Sequence, residues 1–176
     1  MKAVGLSGAI IGSKTAKSVE EVLAAINQYD ENVETEMVDL RDYEVEFVRG
    51  IPFAEYNQDT QDVVNKINEA DVLVIGTPIY QASIPGVLKN VFDHLAPNCF
   101  KGKVAGIVTN GGSEKHFLMS EYQLKPILSY FKAILPLNNV FLHTSCFGPN
   151  NEIINVEEKE RIVKLAKELI DLKKLY

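Results

Sequence analysis

The sequence predicts an α/β fold on a parallel sheet, and three observations carry that reading. Five short apolar runs alternate with stretches whose apolar residues fall at helical spacing. Three of the runs end in polar, mostly glycine-bearing loops that open the next helical stretch. The 176 residues suit one core that buries ~70% of the unfolded surface, so residues 1–176 read as a single domain.

The elements follow in order. Lys2 to Ser7 is a short apolar strand ending at Gly8, and Thr15 to Tyr29 is a helix facing inward through Val19, Leu23 and Ile26. Val33 to Leu40 is a second strand of rough alternation. Arg41 to Asn57, with Pro52 and several aromatics, is a long surface loop. Asp59 to Glu69 is a helix buried through Val63, Val64 and Ile67.

Val72 to Gly76 is a third, buried strand that stops at Thr77-Pro78; its helix runs from about Ile84 to Leu95. Lys103 to Thr109 is the fourth strand, leading into Asn110-Gly111-Gly112-Ser113. A long helix is expected from about Glu114 to Ile134, kinked or broken at Pro126, which lacks an N–H and crowds the preceding turn. Val140 to His143 is the fifth strand, and Val156 to Lys174 the closing helix. Right-handed crossovers between these elements give helices on both faces. Five strands in this alternation give a flavodoxin-like three-layer sandwich with sheet order 2-1-3-4-5 and a ligand crevice between strands one and three. The loops after strands one, three and four converge there.

Composition narrows the function classes. A net charge of −6 argues against a general nucleic-acid surface, which is normally basic. The run EEKERIVKLAKELIDLKK mixes signs at helical spacing, as a solvated helix face does. No apolar run approaches the ~20 residues of a membrane span, and MKAVGLSG passes directly into a strand without signal-peptide character. Cys99 and Cys146 form no CxxC and no disulfide framework, which fits a reducing cytoplasm and two small packed side chains. His94, His116 and His143 are scattered and suggest no metal site.

The first loop, Ser7 to Thr15, offers hydroxyls, glycines, Lys14 and a free helix N-terminus, the means of holding a phosphate. A capped helix start with nothing bound uses the same residues. Neither GxxxxGK[ST] nor GxGxxG is present. The second loop, Thr77 to Gly86, brings backbone amides, Tyr80 and Gln81 beside it; a flat aromatic ligand against Ile79 and Tyr80 and a tyrosine that merely covers the sheet edge both fit. The third loop has adjacent Gly111 and Gly112 that permit close backbone approach to a planar ligand, and equally suit a tight turn.

In combination the segments are more specific. TPIYQASIPGVLKNVFDHL followed by KGKVAGIVTNGGS resembles the NADPH-dependent FMN reductase family, and the likeness takes in SGAIIGSKT and HFLMSEYQLKPILSYFKA, most of residues 1–145. Within that family the last segment is similar to reductases that feed reduced flavin to two-component alkanesulfonate monooxygenases. The resemblance implies FMN phosphate at Ser7, Ser13, Lys14 and Thr15. The ring would lie against Pro78, Ile79, Tyr80 and Gln81, with Thr109, Gly111 and Gly112 along its other edge. Tyr122 falls where that subgroup carries an inserted tyrosine in a π-bulge at a subunit interface beside the flavin. Family members often carry an arginine after the first glycine, where this chain has Ile10 and Ile11; Lys14 then supplies the charge as a point and not as a fork.

The implied activity is hydride transfer from NADPH, or NADH, to FMN, with a monooxygenase, quinones, azo dyes or chromate as acceptors. The flavin carries that chemistry, consistent with loops that lack an acid–base triad. A homodimer or homotetramer is implied as well. The alternative reading is a flavodoxin-like electron carrier without a nicotinamide site. A response-regulator-type domain would need acidic strand ends, where this chain has Ser7, Thr77 and Thr109.

Overall fold

The computed structural model describes residues 1–176. Its sheet comprises β1 (Lys2–Ser7), β2 (Glu34–Asp39), β3 (Val72–Pro78), β4 (Val104–Gly111) and β5 (Val140–His143). All pairings are parallel, in the order β2-β1-β3-β4-β5. The helices are α1 (Lys14–Tyr29), α2 (Gln58–Glu69), α3 (Gly86–Asp93), α4 (Lys125–Tyr130) and α5 (Val156–Leu175). The expected fold class and strand order are those observed. No helix is long and apolar enough to cross a membrane.

Strand alternation sends successive side chains to opposite faces, which builds two cores. Val72, Val74, Val104 and Val108 pack against Val19, Val22 and Ile26 of α1 and Leu165 and Leu169 of α5. Leu73, Ile75, Ala105 and Ile107 face Val63, Val64 and Ile67 of α2, Leu88 and Phe92 of α3 and Leu128 of α4. Each fully buried aliphatic side chain contributes ~1.5–3 kcal/mol. On the first face α1 lies so close to the sheet that a Cβ on Gly76 would stand 2.2 Å from Val19 Cγ2, and one on Gly5 2.4 Å from Val19 Cγ1. Hydrogen removes the side chain where the helix presses in.

Two segments depart from expectation, of which the first is the end of β4: it continues through Asn110 and Gly111, so half of the expected third loop is strand. The stretch Arg41 to Asn57 is the expected surface loop, and it is strapped down. Glu46 O accepts from Asn90 Nδ2 at 3.0 Å and meets His94 Nε2 at 2.7 Å, and Tyr56 is buried against the His94 ring. His94 is therefore structural.

The long helix from Glu114 to Ile134 does not form as one piece. A 3-10 turn (Glu114–His116) and a π-helical turn (Ser120–Leu124) precede α4. Pro126 sits in the first turn of α4 rather than breaking it; its ring crowds the carbonyl of Tyr122, and the wide π turn just before relieves that clash. Lys132, at φ 70°, ends the helical stretch in the left-handed region. Ile134, expected as helix, instead pairs strand-like, accepting from Ala105 N and donating to Lys103 O.

Candidate functional site

Where the connections leaving β1 and β3 run toward opposite edges of the sheet, the carboxyl ends of the strands open into a cleft of about 260 Å³. Its floor on one side is the start of α1, where Gly12, Ser13, Lys14 and Thr15 line the wall. Gly12 at φ 74° turns the chain into the helix. The first amides of α1 have no intrahelical acceptor and face outward with the positive end of the helix dipole. Ser13 stands at the cap position yet makes no capping bond. Its Oγ accepts from Asn151 Nδ2 at 2.7 Å, which leaves its own proton free to donate into the cleft.

Two cations flank this wall. Lys14 Nζ lies 5.3 Å from the Phe147 ring centroid. Arg41, just past β2, donates to Gly12 O at 3.0 Å and pairs with the buried Asp39 carboxylate, whose hydrogen bond holds the guanidinium further toward its charged form. Arg41 thus braces the turn from below.

The opposite wall is Pro78, Ile79 and Tyr80, and the far edge is Gly111, Gly112 and Thr144. Ile79 N donates to Asn110 O at 2.9 Å, tying this wall to β4. His143 Nε2 lies 3.2 Å from Gly112 O, and Thr144 Oγ1 donates to Gly111 O, so β5 supports the glycine pair.

Beyond Tyr80 the chain reverses sharply. Tyr80 and Ser83 exchange two backbone hydrogen bonds at 3.0 Å, and the two residues between them, Gln81 and Ala82, have φ of 49° and 60°. Paired positive-φ residues make a type I′ turn that usually takes Asn or Gly. Here the π turn holds it: Ser83 Oγ donates to Gln123 Oε1 at 2.6 Å, and Gln123 Nε2 donates to Ala82 O at 2.8 Å.

Of the residues singled out in the sequence, Ser13, Lys14, Thr15, Pro78, Ile79, Tyr80, Gly111 and Gly112 meet around this cleft. Ser7 does not: it is sealed at the end of β1. Thr109 is likewise buried, its hydroxyl directed to Val140 O. Gln81 and Tyr122 lie outside the lining, and Tyr122 sits mid-way along the π turn with its side chain 75% exposed. Both thiols are pushed up by burial, Cys99 to about 11, away from the reactive thiolate form. No cluster of side chains suited to a metal ion occurs.

Comparison with known proteins bears on what such a cleft holds. Residues 1–146 match the family model described as NADPH-dependent FMN reductase. The chain belongs to the NADPH-dependent FMN reductase family. An NAD(P)H-dependent FAD/FMN reductase of Geobacillus thermodenitrificans is 44% identical over 172 residues, covering 98% of this chain and 93% of the relative. An FMN reductase (NADPH) of Pseudomonas aeruginosa is 29% identical over 168 residues, covering 95% and 89%. Among solved structures, the apo form of an NADH:FMN oxidoreductase superposes with a TM-score of 0.77 at 25% identity, covering 96% of this chain and 89% of that one.

Four further residues border or brace the cleft without a local sequence signal: Asn110, Thr144, Asn151 and Arg41. Thr144 and Asn151 follow β5, and any loop after a parallel strand ends at the same sheet edge. That rule was available from the topology. Asn110 lies in strand where the sequence suggests a turn, and Arg41 lies two residues past β2 with no local signal of its partner 29 positions earlier.

Proposed function

We propose that this cleft binds FMN, with the phosphate at Ser13, Lys14 and Thr15 and the ring between Pro78–Ile79–Tyr80 and Gly111–Gly112, and that the protein reduces FMN with NAD(P)H. The observation that carries the placement is the start of α1. Its unpaired amides, the uncommitted Ser13 proton and Lys14 together suit a dianion. The glycine edge suits a planar group as well, because two adjacent residues without side chains let backbone approach a ligand closely.

The flavin, when bound, supplies the redox chemistry by accepting a hydride from the nicotinamide and passing electrons onward. The chain's own residues position it. The helix start would anchor one end, and Tyr80 and Ile79 would present a wall to the other. No side chain is required as acid or base. Ser7 and Thr109 act from beneath as packed supports. The crevice is open, and with flavin in place it would admit NADPH or NADH, a quinone or azo acceptor, or a flavin-accepting monooxygenase in turn.

Self-association belongs to the same reading. Phe117, Leu118, Tyr122 and Tyr130 are exposed in the segment that carries the π turn. An apolar groove of about 330 Å³ lined by Phe92, Pro126, Ile127, Tyr130 and Phe131 adjoins it. These surfaces support a homodimer or homotetramer that brings Tyr122 to a neighbouring flavin, in a cytoplasmic enzyme. Sedimentation equilibrium of the wild type and of Tyr130→Glu tests this: a dimer or tetramer that dissociates on substitution is expected, and a wild-type monomer rejects it.

The deciding experiment is NADPH oxidation at 340 nm during an FMN titration. Oxidation that saturates with FMN is expected. FMN binding without oxidation would make the protein a flavin-binding electron carrier instead.

A further inference from the structure

The far edge of the cleft ends in two peptides whose carbonyls are both held from behind. Thr144 Oγ1 donates to Gly111 O at 3.4 Å, and His143 Nε2 stands 3.2 Å from Gly112 O. Both partners lie at the end of β5, so both carbonyls turn toward that strand. No peptide bond in the chain is cis, and in a trans peptide the N–H points opposite to the C=O. The N–H groups of Gly112 and Ser113 therefore point away from β5, toward the side of the wall formed by Pro78, Ile79 and Tyr80. Neither finds an acceptor in the chain, and Gly112 is exposed where it lines the cleft. Two free amides in a row suit an electron-rich group.

His143 performs its part in one protonation state only. It caps the 3-10 turn Thr144–Cys146, and its Nδ1 accepts from Ser145 N at 3.2 Å. The Ser145 hydroxyl meets the same nitrogen at 2.8 Å. A backbone N–H cannot accept, so Nδ1 carries no proton. The ring proton is then on Nε2, where it donates to Gly112 O. A cationic ring, or the other tautomer, would set a proton on Nδ1 against Ser145 N–H. The turn after β5 thus fixes the tautomer, and the tautomer fixes the Gly112 carbonyl. That carbonyl shares its peptide with Ser113 N–H, whose direction is fixed with it.

We infer that His143 is a positioning residue for flavin reduction, which aims the Gly112–Ser113 peptide from behind the wall at the ring edge where charge gathers. The inference rests on the proposed placement of FMN. The hydride carries two electrons and one proton from the nicotinamide, which becomes cationic, to the ring, which gains one negative charge. An amide already held in place stabilises that charge more than it stabilises the oxidised ring. The potential of the bound flavin rises accordingly. A peptide without its brace would have to reorient as the charge appears.

Two measurements test this. In wild-type apoprotein, heteronuclear NMR of the imidazole nitrogens is expected to show His143 protonated on Nε2 alone, and a proton on Nδ1 would overturn the inference. The second measurement is the midpoint potential of FMN on the protein, beside fluorescence titration with oxidised FMN. His143→Asn keeps an acceptor for Ser145 N but is too short to reach Gly112 O. It is expected to weaken reduced flavin about 3- to 10-fold more than oxidised flavin. That lowers the bound potential by about 15–30 mV, at ~30 mV per tenfold for a two-electron couple. His143→Gln, long enough to donate to Gly112 O, is expected to stay near the wild-type potential. Should His143→Asn not fold, His143→Phe serves, with the same loss expected. Equal weakening of both redox forms, or an unchanged potential, would reduce His143 to a structural part and overturn the inference. So would His143→Gln matching the loss in His143→Asn. Failure of the wild type to bind FMN at all would instead reject the placement of the flavin, and this inference with it, whatever the tautomer.

Discussion

At the level of single residues, the cleft separates charge from shape. Lys14 brings a mobile point charge to the helix start, whereas Arg41 spends its fork on Asp39 and Gly12 O and shapes the turn. Lys14→Ala is expected to weaken FMN by ~1–3 kcal/mol, as for a lost charged hydrogen bond. Riboflavin, which lacks the phosphate, should bind as before. Fluorescence titration with both ligands checks the pair, and an equal loss for riboflavin would move the phosphate elsewhere. The absence of an arginine at Ile10 and Ile11 was legible in the sequence. That an arginine from the next strand braces the same loop was not, because the link spans 29 positions and depends on β2 pairing beside β1.

Among the elements, close approach and strain do the organising. Gly76 lets α1 settle on β3, and Gly76→Ala would drive a methyl to 2.2 Å from Val19 Cγ2. Overpacking of this kind costs ~1–3 kcal/mol, to be read as a lower urea midpoint at an unchanged slope. The turn at Gln81 and Ala82 shows a different device. Two non-glycine residues in the left-handed region cost ~1–2 kcal/mol each, and Gln123 offsets this with two hydrogen bonds from the π turn. Gln123→Leu is expected to loosen the Tyr80 wall and raise the FMN dissociation constant several-fold (~0.5–1.5 kcal/mol for a hydrogen bond lost). Adding Ala82→Gly should restore it, because glycine holds the turn without the clamp. Failure of that rescue would show that Gln123 acts otherwise. Through the same contact the π turn meets the loop after β3, because it carries Gln123.

Across the whole molecule, an ion cluster ties the sheet edge to α2. Glu36 on β2 meets Lys2 of β1 at 2.8 Å and Lys66 of α2 at 2.7 Å, and Lys2 also reaches Glu69. Hydrogen bonds from Lys2 and then Lys66 hold the Glu36 carboxyl below its usual range, and the same contacts raise both lysines. A depressed carboxyl stabilises above its unfolded value and loses that contribution as pH falls through the folded one. Stability is therefore expected to decline below about pH 4.5, the ordinary glutamate range. The cluster is half in solvent, so the share is about 1 kcal/mol or less. Melting curves of wild type and Glu36→Gln between pH 7 and pH 3 should converge at the acid end; parallel curves would exclude Glu36 as the titrating group.

The sequence by itself determined the alternation of strands and helices, the strand order and the convergence of three loops. Periodicity of 2 and 3.6 and right-handed crossovers leave few other arrangements. It also marked Ser13, Lys14, Tyr80 and the glycine pair, through loop composition and family resemblance, and these residues do meet around the cleft. Only tertiary structure decided the rest. Ser7 and Thr109, polar and at strand ends, turned inward, because the residue at which a strand stops depends on its neighbours' pairing. Asn110 and Gly111 became strand when β5 and β3 completed their hydrogen bonds on either side. Arg41, Gln123, Thr144 and Asn151 acquired their parts from partners far away in the chain. Local propensity reports what a residue prefers alone; which hydroxyl is sealed, which amide is orphaned and which strained turn is held are settled by burial, and burial belongs to the assembled fold.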